Sequence, residues 1–362
     1  MLEIRNMATK AGSFLLDDIS LTVAEGGCHV IVGGTGSGKT LLLESVLGLR
    51  KFSRGSVLLH GSDITSRPLG KRNISYVPQD LALFPHLTVL ENIRYGVRMK
   101  GLKDREHDEL VEQLIETVGI RGLVHRSIGH LSGGEQQRVA LVRAIAAGNK
   151  HLLLDEPFSS LHQGLRRELW FVLKELQSSC NLTVLMVTHD MEEAFFLGDE
   201  VTVLINGSIR QTGAARSVYE KPADISVARF FGIRNLFPGT VRTHSRSALQ
   251  VTCDSLQTEL TVPLGASFGR GNEPGAPCVV GIRPENVMVL KADRPNYTQD
   301  NLLTGTLTDI LLKGASHTLL FRPAGTATVV ELEVPDYALR KLQLTKGDGI
   351  SIFFKGESLF LL

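Results

Sequence analysis

Aromatic residues make up only 6% of this 362-residue chain, with a single tryptophan, and the net charge is +1. A balance that close to zero gives no electrostatic argument for binding nucleic acid or an anionic membrane surface. The four cysteines, Cys28, Cys180, Cys253 and Cys278, are scattered and form no CxxC pair. They read as reduced thiols, which argues against a zinc site or a disulfide framework. No apolar run approaches the roughly 20 residues needed to span a bilayer. The opening Met1-Leu-Glu-Ile-Arg-Asn lacks the basic-then-apolar layout of a signal peptide. A role at a membrane would therefore need other subunits to supply the channel. Neither a firm internal repeat nor a low-complexity tract is present. What the chain does have is a 43% hydrophobic fraction with 21% charge, the composition of a folded globular protein. Its length exceeds what one hydrophobic core usually organises, so two domains are expected.

The first two thirds alternate short apolar strands with helical stretches. His29-Val30-Ile31-Val32, His151 to Leu154 and Val184-Leu185-Met186-Val187 have the pattern of buried strands. Strands of this kind separated by helices predict a parallel sheet covered on both faces, an α/β domain. Ligand chemistry in such a sheet collects at the carboxyl ends of the strands. After about Gly232 the segments are short and often alternating, as in Leu260 to Leu264, Val279 to Arg283, Leu303 to Leu312, Thr318 to Arg322 and Ile350 to Phe354. Glycine-bearing turns divide them, which predicts an all-β second domain of one or two small barrels. The boundary falls in Ile233 to Pro238, giving domains 1–235 and 236–362.

Gly33-Gly34-Thr35-Gly36-Ser37-Gly38-Lys39-Thr40 satisfies GxxxxGK[ST], with a strand before it and a helix after it. Glycines let consecutive backbone N–H groups turn inward around phosphate oxygens, and the helix N-terminus adds its positive end. Lys39 then reaches the β- and γ-phosphates of ATP, and the Thr40 hydroxyl ligates Mg²⁺. The plainer reading, a glycine turn that merely joins strand to helix, is disfavoured by the strand–loop–helix context.

Leu131-Ser132-Gly133-Gly134-Glu135-Gln136-Gln137-Arg138 resembles the signature of ATP-binding-cassette (ABC) proteins. Around it the chain carries Tyr76-Val77-Pro78-Gln79, His151-Leu-Leu-Leu-Asp155-Glu156 and Thr188-His189-Asp190. The order of these motifs matches ABC ATPases over about residues 1–232, a P-loop NTPase fold. The resemblance implies that Asp155 holds Mg²⁺, that Glu156 is the general base for the attacking water, and that His189 steadies Glu156 and contacts the γ-phosphate. It makes Gln79 a sensor of Mg²⁺ and of that water. Taken singly, two acids after a strand more often mark a loop edge or a helix cap, and a lone histidine or glutamine is usually structural; the order of the motifs is what favours function. The resemblance also implies a homodimer in which Ser132, Gly133, Gly134 and Gln136 of one subunit cap the ATP of the other. The same residues form a capped helix start, which is compatible with that role.

Within the family the chain is similar to importer subunits that end in a β-rich TOBE or OB-like domain, on Gly281-Ile282-Arg283-Pro284-Glu285. That domain either senses a ligand or enlarges the dimer interface, and Arg283 fits an ion pair as well as an anion site. Leu83-Phe84-Pro85-His86-Leu87-Thr88-Val89 resembles the surface that receives a transmembrane permease; core packing is the alternative. The resemblance implies a peripheral protein on the cytoplasmic face of the inner membrane, working with a permease and a solute-binding protein and not with nucleic acid. Lys39-Thr40-Leu-Leu-Leu-Glu44, Leu197-Gly198-Asp199-Glu200 and Arg234-Asn235-Leu236 are similar to molybdate/tungstate and related oxyanion importers. Sulfate, ferric iron, polyamine and sugar importers share the stronger motifs, and a soluble ABC ATPase outside transport is a further alternative. Two positions depart from the family. The usual SALD of the D-loop is Ser159-Ser160-Leu161-His162 here. No aromatic stands near Ala11 to stack on adenine, so either Phe14 substitutes or adenine is held weakly.

Overall fold

The computed structural model describes residues 1–102, 105–245, 247–263, 273–290 and 300–362. Two compact units emerge, Met1–Tyr219 and Glu220–Leu362.

In chain order the first unit carries strands β1 (Leu2–Ala11), β2 (Phe14–Val23) and β3 (Cys28–Val32), helix α1 (Lys39–Leu47), and strands β4 (Arg54–Leu59), β5 (Ser62–Asp63) and β6 (Ile74–Val77). Helices α2 (Val89–Met99), α3 (Arg105–Thr117) and α4 (Gly133–Ala146) follow. Then come β7 (His151–Asp155), α5 (Gln163–Cys180), β8 (Thr183–Thr188), α6 (Met191–Leu197), β9 (Glu200–Ile205), β10 (Ser208–Ala214) and α7 (Ala215–Glu220). Six strands form one sheet in the order β10-β9-β3-β8-β7-β6, parallel except for the β9–β10 hairpin. Every residue of β3, β7 and β8 is buried, as expected for a parallel sheet covered on both faces.

A second, antiparallel sheet, β2-β1-β4-β5, was not apparent from the sequence. Its β1 and β2 bury alternate residues such as Leu2, Ile4 and Ile19 against α1 and the six-stranded sheet. Helix α1 contributes Leu41, Leu42, Leu43 and Val46 to that shared core, which fixes the helix whose first turn carries Lys39 and Thr40. Helices α2 and α4 each start at a capping box, Thr88 with Glu91 and Ser132 with Glu135.

The second unit opens with helix α8 (Ile225–Phe230), followed by strands β11 (Leu236–His244), β12 (Ala248–Cys253), β13 (Thr258–Pro263), β14 (Pro277–Gly281), β15 (Val287–Leu290), β16 (Leu302–Lys313), β17 (Ser316–Pro323) and β18 (Val330–Pro335). Helix α9 (Asp336–Leu342), β19 (Gly349–Phe354) and β20 (Phe360–Leu361) complete it. The strands form two antiparallel five-stranded sheets, β13-β12-β11-β14-β20 and β15-β19-β16-β17-β18, which bury their apolar residues in one core. Of the strand expected at Leu260 to Leu264, Leu264 lies outside the described residues.

The division between units lies before the expected 235/236 boundary. Ala228 and Ile233 are buried against Phe360 near the end of the chain, and the Asn235 amide clamps both the N–H and the carbonyl of Glu331. The stretch 220–235 therefore packs with the β-rich unit, through contacts too distant in sequence to show as a local pattern.

Candidate nucleotide site

Strands β3, β8, β7 and β6 are parallel neighbours, so the segments that follow them leave one edge of the sheet. Those segments are Gly33–Gly38, His189, Asp155-Glu156 and Pro78-Gln79. Alternating registers cannot do this; it needs four parallel strands ending level, and Val77 pairs with Leu154 and Val32 with Thr188.

The loop from Gly33 to Gly38 is exposed at Gly34, Thr35 and Gly36. Gly33 is confined: a Cβ there would lie 2.4 Å from the Leu204 carbonyl oxygen. Gly38 has φ 99° at the N-cap of α1, a left-handed conformation that favours glycine. The Lys39 side chain is 5% exposed and folds back into the loop. Its Nζ donates to the carbonyl oxygens of Gly33 at 2.8 Å and Gly34 at 3.1 Å. Ser37 Oγ, in the same loop, is buried without a partner among the described residues. The Phe14 ring lies against Gly38, where a Cβ would meet its Cε1 at 2.7 Å.

Across from the loop, Thr40 Oγ1 donates to Asp155 Oδ1 at 3.1 Å, and the Tyr76 hydroxyl donates to Asp155 Oδ2 at 3.2 Å. Burial raises the Asp155 pKa above its ordinary value, and these two hydrogen bonds oppose the rise. The next residue, Glu156, has φ 43°, a left-handed conformation that costs a non-glycine residue about 1 to 3 kcal/mol. Its N–H is held by the Val187 carbonyl at 2.9 Å. Its carboxylate sits between Lys39 Nζ, 3.3 Å from Oε1, and His189 Nδ1, 2.9 Å from Oε2. Lys39, Thr40, Asp155, Glu156 and His189 thus form one connected set. Gln79 lies exposed in the turn after β6, one edge over.

A hydroxyl beside a carboxylate is a hard-oxygen donor pair of the kind that suits Mg²⁺, which keeps waters and binds through one or two carboxylates plus substrate phosphates. Thr40 and Asp155 fit that ion.

The signature lies elsewhere in the unit. Helix α4 packs on α2, α3, α5 and β6, whereas α1 packs on β1, β7 and β8. At the start of α4 the Ser132 N–H and Oγ both donate to Glu135 Oε2, at 2.7 and 2.8 Å. Ser132 and Gly133 are exposed, while Gly134 is buried with no room for a side chain, since a Cβ would meet Leu165 Cδ2 at 2.5 Å. Gln136 does not join them at the open end. Its amide donates to the Ile128 and Leu131 carbonyls, each at 3.3 Å.

Three connections were not foreseen from the sequence. Tyr76 supports Asp155; its signal was an aromatic at the end of a strand beside β7. Arg166 bridges two motifs, donating from Nε to the Leu161 carbonyl and from a terminal nitrogen to Asp190 Oδ2, both at 2.7 Å. It ties the 159–162 segment to the residue after His189. Third, Glu193 accepts a hydrogen bond from the Thr188 hydroxyl, and burial pushes its pKa up to about 8.

The Leu83–Val89 segment is a partly exposed, well-anchored surface. The Phe84 ring packs at a tilt against Tyr95, their centroids 4.4 Å apart, and Arg143 lies 5.5 Å from the Phe84 centroid while donating to the carbonyls of Leu81 and Ala82. Asn92, buried beneath, receives the Phe84 N–H and donates to the Phe84 carbonyl. In the second unit Arg283 is buried with its guanidinium 5.9 Å from the Phe231 ring. Among the described residues no helix is long and apolar enough to cross a membrane, and no group of histidine, cysteine and acidic side chains is arranged to hold a metal ion.

Comparison with known proteins agrees with this geometry. Residues 16–159 match the ABC transporter family and residues 280–362 match the TOBE domain. A molybdate/tungstate import ATP-binding protein of Pyrococcus horikoshii is 39% identical over 80% of this chain and 79% of its own length. An Fe(3+) ions import ATP-binding protein of Escherichia coli K12 is 41% identical over 82% of each. Among solved structures, an ATP-binding cassette of an ABC transporter in its ADP conformation is 27% identical, with a TM-score of 0.57 over 64% of this chain and 98% of its own. A dimeric bacterial ABC transporter cassette is 28% identical, with a TM-score of 0.53 over 60% of this chain and 99% of its own. The chain therefore belongs to the ABC transporter family, as an ATP-hydrolysing subunit with a C-terminal TOBE domain.

Proposed function

We propose that this subunit powers the import of an inorganic oxyanion, molybdate, tungstate or sulfate, through a transmembrane permease at the cytoplasmic face of the membrane. The observation that carries the hydrolytic part is the Glu156 carboxylate held between Lys39 and His189, next to the Thr40–Asp155 pair. In this reading the glycine-loop N–H groups and Lys39 take the β- and γ-phosphates of ATP. Lys39 exchanges its bonds to the Gly33 and Gly34 carbonyls for phosphate oxygens. Glu156 accepts the proton of the attacking water, and His189 orients that carboxylate through its Nδ1 bond. Thr40 and Asp155 hold Mg²⁺, with Gln79 nearby; the ion, when bound, neutralises charge on the phosphates. Two copies pair head to tail, and the start of α4, with the Ser132 hydroxyl and the Gly133 and Gly134 N–H groups, caps the partner's nucleotide. Gln136 supports that turn through the Ile128 and Leu131 carbonyls. The Phe84 surface receives the permease, and closing and reopening of the dimer drives it. A solute-binding protein delivers the cargo.

The oxyanion assignment is supported by the similarity to the Pyrococcus proteins and by Leu197-Gly198-Asp199-Glu200 and Arg234-Asn235-Leu236. Ferric iron is the second reading, favoured by relatives of similar identity whose names specify Fe(3+). The test is uptake of labelled molybdate, tungstate, sulfate and ferric iron in cells carrying the intact gene or Glu156→Gln. Selective loss of an oxyanion supports the first reading, and selective loss of iron supports the second. In the purified variant ATP binding persists while hydrolysis falls by about 10² to 10⁴, the usual contribution of a general base. An unchanged hydrolysis rate would refute the role given to Glu156.

A further inference from the structure

A cavity of about 430 Å³ lies in the first unit at the amino ends of β6 and β7. The sheet separates it from the nucleotide site, which gathers at the carboxyl ends. Lys150 and His151 lead into β7, Lys100 follows α2, His107 stands on α3, and His60 lies in the turn between β4 and β5. Among the described residues no aspartate or glutamate lines it.

The two lysines are held by neutral acceptors. Lys100 Nζ donates to the Ala147 carbonyl at 2.9 Å and to Asn149 Oδ1 at 2.6 Å, and Lys150 Nζ donates to the Cys180 carbonyl at 2.9 Å. Those bonds fix the ammonium groups without neutralising them, and among the described residues neither has an ion-pair partner. An ammonium carries three N–H donors, so each lysine keeps at least one for a ligand. The nearby acid is Glu25, whose carboxylate already lies 3.6 Å from the Met1 amino group and 3.7 Å from the His60 ring nitrogen.

His151 adds an independent observation. It is 3% exposed and lines the cavity, yet among the described residues its Nε2 has no hydrogen-bond partner. Its ring meets that of His60 edge-on at 5.0 Å. Burial, reinforced by the positive Met1 amino group and His60, lowers its pKa to about 4. A neutral imidazole thus shares the cavity with two lysine ammonium groups, a combination that a bound anion stabilises.

We propose that this cavity binds a small oxyanion through Lys100, Lys150 and the His151 imidazole. The class comprises phosphate, sulfate and molybdate, which share size, charge and acceptor oxygens. Two sources offer such an ion: the phosphate released by hydrolysis, and a transported oxyanion. The site does not depend on which cargo the transporter carries. Strand β7 runs from His151 directly to Asp155, so an occupant would sit one strand length from the hydrolytic centre.

The test uses the full chain saturated with Mg²⁺ and a non-hydrolysable ATP analogue, so that the glycine loop is filled. Inorganic phosphate, sulfate and molybdate are titrated separately at constant ionic strength by calorimetry, with chloride as the control, while NMR follows the His151 ring nitrogens. We expect saturable binding of one ion per chain, with the His151 signals moving toward the imidazolium form. Lys100→Gln and Lys150→Gln each weaken binding about tenfold and leave ATP hydrolysis unchanged. A preference for phosphate identifies the product as the source, and a preference for molybdate identifies the cargo. Absence of saturable binding, or binding indifferent to both substitutions, overturns the proposal.

Discussion

Glu193 is expected to contribute stability to the first unit that is lost as pH rises, a contribution Glu193→Gln removes. The carboxyl group is 2% exposed; Oε2 accepts from Thr188, and Oε1 has no partner. Burial, foremost, raises its pKa from 4.5 to about 8, with Asp190 adding to the rise and Arg166 opposing it. In the unfolded chain the group loses its proton near pH 4.5, whereas the native state keeps it until about pH 8. The native state therefore binds more protons throughout that window, and stability declines across it. At about 1.4 kcal/mol per pH unit, the full loss is on the order of 5 kcal/mol. Glutamine has the shape of the protonated acid and retains the acceptor for Thr188, so its stability does not change across the window on this account. The chain's one tryptophan, Trp170 on α5, is 3% exposed and reports on unfolding of the first unit alone. Guanidinium denaturation followed by its fluorescence, for both proteins at pH 5 and pH 8.5, isolates the term because every other titrating group is common to both. The stability of the variant relative to wild type should rise by about 4 kcal/mol between those pH values. A difference that does not vary with pH would refute the reasoning.

Two further substitutions test local geometry. Tyr76→Phe removes the hydroxyl that holds Asp155 Oδ2, so the Mg²⁺ concentration giving half-maximal ATP hydrolysis should rise about tenfold, with the rate at saturating Mg²⁺ nearly preserved; an unchanged Mg²⁺ requirement would deny Tyr76 a positioning role. His162→Asp restores an N-cap acceptor at the start of α5, where φ −73° and ψ 157° already suit a cap and the histidine makes no capping bond. It should stabilise the first unit by about 1 kcal/mol in the same tryptophan assay, and a destabilised variant would show that His162 has a role the cap argument misses.

What could be read from the sequence was whatever is written in consecutive residues. The loop Gly33–Thr40 carries its own glycines, lysine and threonine, and the acids Asp155-Glu156 end an unbroken apolar strand, so both announce their chemistry locally. The second sheet was harder, because β1 and β2 contain bulges at Ile4/Met7 and Met7/Thr9 that break the alternation a strand would otherwise show. The division at Tyr219/Glu220 was hidden for a related reason. Residues 220–235 have helical character like the cassette, yet they are claimed by Phe360 and Glu331, which lie at least ninety-six positions away at Asn235. Pairings of that range leave no periodic trace.

The same distinction separates the two sites of the first unit. At the nucleotide site the decisive contacts join motifs, and each motif can be recognised before its partner is known. The cavity at the amino ends of β6 and β7 gathers His60, Lys100 and Lys150 from three unconnected segments, each an ordinary surface residue in its own neighbourhood. Only the sheet brings them together. What marks the cavity physically is an imbalance: ammonium groups anchored on carbonyls, and a buried imidazole nitrogen with no partner. Buried polar atoms are nearly always satisfied in folded proteins, so an orphan beside uncompensated charge points to an acceptor supplied from outside the chain. The orphaned Ser37 hydroxyl in the glycine loop obeys the same rule, at a site whose ligand the family defines as ATP.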